Sequence, residues 1–194
     1  MRRIVLLTTL LLFFVTLTVV IGWRMAVRAP ASPALPPGGD FTLVSADGPV
    51  ALAQLRGNVV LLYFGYASCP DVCPTSLALT AQALVRLTPA ELARVRVLFI
   101  SVDPERDTPA KLRQYAAHFH ANVIGVTGEP AVLAGIAARY GAAYRKQAVD
   151  SAQGYVVDHS SFTAVVAPDG RLVAQLAHGA QPEEIVQTVR RWLR

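Results

Sequence analysis

Apolar residues fall along this chain in three rhythms, and each predicts a different kind of element. One is unbroken: residues 4–21 are uncharged throughout, and as a helix these 18 residues would span about 27 Å against a hydrocarbon core of about 30 Å. The second is a set of short runs rich in β-branched and aromatic residues. Residues 59–64, 95–102 and 123–126 are apolar nearly throughout, the mark of strands covered on both faces. Residues 41–44 and 50–52 flank the hairpin signal Asp47-Gly48, and Asp169-Gly170 turns into a strand over 172–176. Residues 142–149 and 161–167 are strand-like around a polar insertion, KQAVDSAQGYVVDHSS. The third rhythm is helical. Val72, Ser76, Leu77, Thr80, Ala83, Leu84 and Leu87 predict a helix from about Asp71, and similar spacing predicts helices over 129–140 and 182–193. Thr88-Pro89-Ala90-Glu91 is a capping box opening a short helix, and Asp107 or Thr108 caps another that runs to about Phe119.

Strands alternating with helices, then a terminal hairpin and helix, describe an α/β sandwich of the thioredoxin-like kind with an added N-terminal β-hairpin, preceded by one transmembrane helix. The organisation read from the chain is an N-terminal membrane anchor over 1–28, a Pro/Gly/Ala linker over 29–39, and a folded domain over 40–194. The linker, APASPALPPGG, predicts an extended tether. A cleaved leader is the rival to an anchor. Ala29 and Ala31 offer small residues, but two arginines and a proline separate them from the apolar run, and Trp23 suits an interfacial position.

Composition changes this picture in one respect. The formal charge of +5 suggests an acidic partner until it is divided along the chain. Four of the 18 basic residues, Arg2, Arg3, Arg24 and Arg28, lie in the first 28 positions, which hold no acid; this leaves 14 basic against 13 acidic residues. The excess belongs to the flanks of the apolar run, so nucleic-acid binding is not indicated. The flanks are nearly balanced, and charge alone does not orient the anchor.

The candidate chemistry sits where the 59–64 strand gives way to a helix. Cys69 and Cys73 are the only two cysteines of the chain. If one helical turn carries both, their Cβ atoms lie about 5–6 Å apart, wider than the roughly 3.5–4.5 Å of a relaxed disulfide. Two thiolates on one metal ion tolerate the wider spacing. A helix N-terminus also favours the thiolate that either metal binding or thiol exchange requires. Among the four histidines, His118 and His120 end a helix and His178 follows a hairpin strand. His159 lies in the loop before the 161–167 strand, which in a thioredoxin-like arrangement faces the cysteine corner, and Asp158 beside it could orient the ring. Two thiolates with one imidazole suit copper, whereas structural zinc takes a fourth ligand.

Gly65-Tyr66 followed by CPDVCP, then SVDPERDTP at 101–109, VDHS at 157–160 and PDG at 168–170 resemble the Sco/SenC family of copper-binding proteins. The resemblance runs from about Phe41 to the C-terminus. It implies a thioredoxin fold tethered to the bacterial cytoplasmic membrane with the domain facing the periplasm. It further implies copper, as Cu(I) or Cu(II), bound by Cys69, Cys73 and His159, and assembly of the dinuclear copper centre of cytochrome c oxidase subunit II or another copper enzyme. A periplasmic thiol reductant or copper donor is the implied upstream partner, since an oxidising compartment presses the cysteines towards a disulfide. The chain departs from the family pattern at Ala67-Ser68, where Thr-His is frequent, and at Ala164, where a tyrosine is frequent. A second reading is a thiol–disulfide oxidoreductase, with Cys69 and Cys73 as the redox pair acting on the copper-ligand cysteines of the same target. Against it, redox thioredoxins carry two residues between their cysteines, and this chain has three. Asp71 and Asp158 are candidates to support the ligands.

Overall fold

The computed structural model describes residues 2–26, 34–150 and 154–194, and the chain divides into two compact units, 1–34 and 35–194. In the first, helix α1 (Arg2–Ala26) forms as the unbroken apolar run predicts. The side chains described within it, residues 7–20, are exposed, and the hydroxyls of Thr16 and Thr18 return to the helix carbonyls three and four residues back. Those described residues cover about 21 Å. Among the described residues no helix is long and apolar enough to cross a membrane.

The second unit opens with the hairpin of β1 (Thr42–Ser45) and β2 (Gly48–Ala51). Gly48 takes φ 114°, the left-handed region that the turn needs and side chains resist. Leu52 does not extend β2 as the alternation suggested: it begins a one-turn 3₁₀ segment, Leu52–Leu55, which sinks its own side chain into the core. Then follow β3 (Val59–Gly65), α2 (Val72–Leu84), α3 (Pro89–Ala93), β4 (Val95–Ser101), α4 (Pro109–Ala117), β5 (Val123–Val126) and α5 (Pro130–Arg139). The chain closes with β6 (Tyr144–Ala148), β7 (Tyr155–His159), β8 (Thr163–Val166), β9 (Leu172–Leu176) and α6 (Pro182–Leu193).

Five strands form the central sheet in the order β5-β4-β3-β8-β9; β3, β4 and β5 run parallel, and β8 lies antiparallel to both β3 and β9. The central strand, β3, is buried at every position, which is why its sequence shows no alternation. Its side chains still divide by face. Val60, Leu62 and Phe64 meet Leu43, Leu52, Leu133, Ile136 and Tyr140 on one side. Val59, Leu61 and Tyr63 meet Leu77 and Leu84 of α2, Leu112 of α4, and Ile185 and Val189 of α6 on the other. Each such fully buried aliphatic side chain contributes about 1.5–3 kcal/mol. This double cover makes β3 a rigid rod, and the cysteine segment leaves from its C-terminal end.

Local signals were decided by tertiary partners in several places. The capping box is complete: the Thr88 hydroxyl accepts from Glu91 N–H, and a Glu91 carboxylate oxygen accepts from Thr88 N–H at 2.8 Å. Of the two candidate caps for α4 it is Thr108 that accepts the helix N–H, from Lys111, while Asp107 is drawn into the interior. That helix stops at Ala117, with His118 as its C-cap, two residues short of Phe119. The polar insertion is a second hairpin, β6 paired antiparallel with β7, and forms a two-stranded sheet of its own. The linker reading falls partly on residues 29–33, outside the described residues. Its last residues do not hang free: Gly38 N–H donates to the Arg139 carbonyl at 2.8 Å, and the Tyr140 hydroxyl donates to the Gly39 carbonyl at 2.8 Å.

Candidate metal centre

Gly65 ends β3, and the chain turns through Tyr66–Cys69, closed by Cys69 N–H donating to the Tyr66 carbonyl at 3.2 Å. Helix α2 begins only at Val72. The cysteines therefore do not share one helical turn: Cys69 projects from the turn, half-buried, and Cys73 is fully buried in the first turn of α2. Both are free thiols. Cys73 packs so closely over β3 that a Cβ on Gly65 would stand 2.6 Å from its sulfur, a distance real carbon atoms do not tolerate. Glycine at position 65 is thus a condition for seating this sulfur.

The third group arrives from the far end of the chain. His159 is the last residue of β7, paired with Tyr144, and not a loop residue. Its Nε2 lies 3.3 Å from Cys73 Sγ and 3.9 Å from Cys69 Sγ, and the three donor atoms all fall within 4.8 Å of one another. His159 Nδ1 lies 2.9 Å from the carbonyl oxygen of Ser160. A carbonyl can only accept, so Nδ1 carries the proton and Nε2 is the nitrogen turned towards the sulfurs. The rings of Tyr66 and Tyr63 meet the imidazole edge-on at 5.8 Å and 6.1 Å and fix its plane.

The electrostatics follow from this geometry. The hydrogen bond from the Cys73 thiol pulls the Cys69 thiol down to about 3, against the cost of burial, with His159 and the backbone N–H groups of Asp71 and Cys73 helping. Cys73 moves the other way, held protonated first by that bond to Cys69 and then by burial. Burial disfavours the His159 imidazolium, yet the Cys69 thiolate and the Ser160 carbonyl overcome it and raise its pKa. The reduced, metal-free site is therefore a Cys69 thiolate, a Cys73 thiol and a His159 poised to be cationic. Cys69 should accordingly be alkylated by iodoacetamide at a rate that stays nearly flat from pH 8 to pH 5, whereas an ordinary thiol slows about tenfold per pH unit below its pKa. Mass mapping of the labelled peptide checks this; a rate that falls with pH through that window would show that Cys69 is not the thiolate.

The supporting roles expected of two carboxylates are filled by other groups. Asp158 points outwards, because neighbours in a strand face opposite ways, and accepts from Gln147 Nε2 at 3.0 Å. The Ser160 carbonyl orients the ring in its place. Asp71 meets Cys69 through its backbone, while its exposed carboxylate takes a hydrogen bond from Thr75. His118 meets Phe119 edge-on, His120 Nδ1 accepts from Asn122 N–H, and His178 Nδ1 sits 3.2 Å from Ser76 Oγ, so none of these joins the cluster. Tyr63 and Tyr66, which flank the imidazole, were not singled out from the sequence as site residues. Tyr66 entered the sequence reading only as part of the Gly65-Tyr66 step with which the family resemblance begins.

Residues 30–194 match the family model described as SCO1/SenC. The chain is 40% identical over 156 residues to the mitochondrial SCO2 homolog of Bos taurus, covering 79% of this chain and 58% of that protein. The structure of Bradyrhizobium japonicum ScoI with copper bound superposes with a TM-score of 0.73 at 36% identity, covering 81% of this chain and 99% of that one. BsSco, described as having a disulfide switch and as a member of the Sco family of cytochrome c oxidase assembly proteins, superposes with a TM-score of 0.63 at 28% identity, covering 84% of this chain and 96% of its own. With its thioredoxin-like sheet, its converging cysteine–cysteine–histidine cluster and a family match over most of its length, this chain belongs to the SCO1/SenC family.

Proposed function

We propose that this protein is a copper metallochaperone in which Cys69, Cys73 and His159 carry the metal as cargo for the dinuclear copper centre of cytochrome c oxidase subunit II. The observation that carries this reading is the convergence of two sulfurs and one imidazole nitrogen within 4.8 Å of one another. Two thiolates and one imidazole are soft donors that suit copper, and a set of three leaves room for an incoming ligand from the target to add before one of its own departs. Cys69 stays half-exposed, which gives that ligand an approach. Loading must displace the protons held by Cys73 and His159, so the site is empty or full according to metal and pH together. Titration of the reduced protein with Cu(I) and with Cu(II) should give one tight equivalent in the wild type and none in the Cys69→Ser/Cys73→Ser double variant. Binding that survives His159→Ala unchanged would remove His159 from the site.

The domain works at a membrane in this proposal: residues 1–28 anchor it in the cytoplasmic membrane, residues 29–39 tether it, and residues 40–194 face the periplasm. The uncharged run extends past residues 7–20 at both ends, to 4 and 21, and the helix Arg2–Ala26 supports the anchor. Gly38 and Gly39 are bonded to the domain, so in this proposal at most residues 29–37 would be left to span between membrane and domain.

A second reading is favoured by one observation, the pairing of an accessible Cys69 thiolate with a buried Cys73 thiol. In thiol–disulfide exchange Cys69 would attack a target disulfide and release one target thiolate. Cys73, giving up its proton, would then displace the second, leaving the target as a dithiol and the Cys69–Cys73 pair oxidised until a periplasmic thiol reductant restores it. Turnover of a target disulfide no faster than by free thiols would set this activity aside.

A further inference from the structure

The charged residues between β4 and α4 contribute no donor atom, yet they grip both halves of the donor set. Asp103 and Asp107 are wholly buried. Asp107 accepts from Ala67 N–H at 2.7 Å, from the Ser101 hydroxyl at 2.7 Å and from Lys111 Nζ at 2.9 Å, and the same ammonium reaches Ser68 Oγ at 3.3 Å. These bonds fasten the turn from which Cys69 projects. Asp103 accepts from the Tyr155 hydroxyl at 2.8 Å and from Arg106 Nε, and the Arg106 guanidinium lies 3.7 Å from the Tyr155 ring centre while donating to the Tyr155 carbonyl at 2.9 Å. These fasten the start of β7, the strand that ends on His159.

The need for such a fastening is topological. Among the described residues the β6–β7 hairpin shares no ladder with the central sheet, so strand pairing does not set its distance from the cysteines. Tyr155, Val157 and His159 lie on one face of β7. Val157 is buried in the core and its backbone hydrogen-bonds the Tyr66 hydroxyl, which leaves the Tyr155 end to the Asp103–Arg106 pair. We propose that residues 103–107 are a spacer that sets the separation of Cys69 from His159, with Asp107 holding the cysteine side and Asp103, through Tyr155, holding the histidine side. Both Tyr155 and Asp107 are positioning residues. The proposal rests on the copper reading for its purpose, since a donor set must be held to about 0.5 Å to bind well.

A double-mutant cycle tests it. Tyr155→Phe removes the hydroxyl bond to Asp103 and keeps the ring on Arg106, so the hairpin still folds. It is expected to lower Cu(I) affinity about tenfold in the wild-type background and by less than about twofold in the His159→Ala background, because it acts only through that residue. Equal losses in both backgrounds, or no loss in either, would overturn the spacer. A copper-free arm keeps the two ideas apart. In the reduced apoprotein, Tyr155→Phe should speed amide exchange in β7 and leave Cys69 alkylation unchanged, and Asp107→Asn should do the reverse. If the two variants move both readouts together, they report general loosening and the spacer is wrong. A wild type that binds no copper would sink the copper reading alone, and this second arm would still decide the spacer.

Discussion

Replacing Cys73 with serine is expected to lower Cu(I) affinity by roughly three orders of magnitude. Zinc held by three or four protein donors is bound at about 10–16 kcal/mol, or roughly 3–5 kcal/mol for each donor, and 4.1 kcal/mol is about a thousandfold. Serine offers Cu(I) a hard oxygen in place of a soft sulfur, so little of the loss is recovered. Cys73 is the sulfur nearest the imidazole, at 3.3 Å from His159 Nε2, and it is buried in the first turn of α2. Protons provide a second readout. At pH 6 the metal-free site holds Cys69 as thiolate, Cys73 as thiol and His159 as imidazolium, so wild-type loading should release about two protons. Calorimetric titration in buffers of different ionisation heat measures that number. The variant at saturating copper should release about one, from the imidazole; an unchanged release would mean that Cys73 was never deprotonated by the metal.

Asp107→Ala is expected to be the costliest single change to the fold near this site. It strips the acceptor from the Ala67 N–H and from the Ser101 hydroxyl, the latter buried with its residue fully enclosed. Each buried donor left without a partner costs about 1–3 kcal/mol. Lys111 is partly exposed and turns to water, so its ion pair adds little to the loss. A total of about 3 kcal/mol corresponds to a fall of roughly 6–12 °C in Tm for a domain of this size. Differential scanning calorimetry of the reduced domain checks it. A shift under about 2 °C would mean that water or the backbone replaces the carboxylate, and that the network is dispensable for folding.

Much of the scaffold was legible because it is written in local signals. The apolar run of β3 required cover on both faces, the Thr88–Glu91 box named its own hydrogen bonds, and the β5 boundaries and the closing α6 followed from the apolar pattern alone. The elements that were misread are those whose local pattern is weak. β6 lies inside the strand read over 142–149, but β7 was passed over within the polar insertion, because the β6–β7 ribbon keeps one face in water and leaves β7 no clear apolar run to announce a strand. Asp107 looked like a helix cap because a carboxylate beside Thr108-Pro109 usually is one; a competing set of buried donors forty residues earlier and six earlier claimed it.

The sequence by itself determined the chemistry on offer: two cysteines four residues apart at the end of a central strand, and a histidine 86 residues beyond the second, with thiol and imidazole groups that suit a soft metal. Only the tertiary structure decided which sulfur is the thiolate, which imidazole nitrogen faces it, and what holds the two halves together. Those depend on burial, on the Ser160 carbonyl and on the carboxylates of Asp103 and Asp107, all of which act through space between segments that have no period or spacing in common. A pattern along the chain reports which face a residue presents, and it is the packing of separate elements that sets the ångström-scale distances on which a metal site depends.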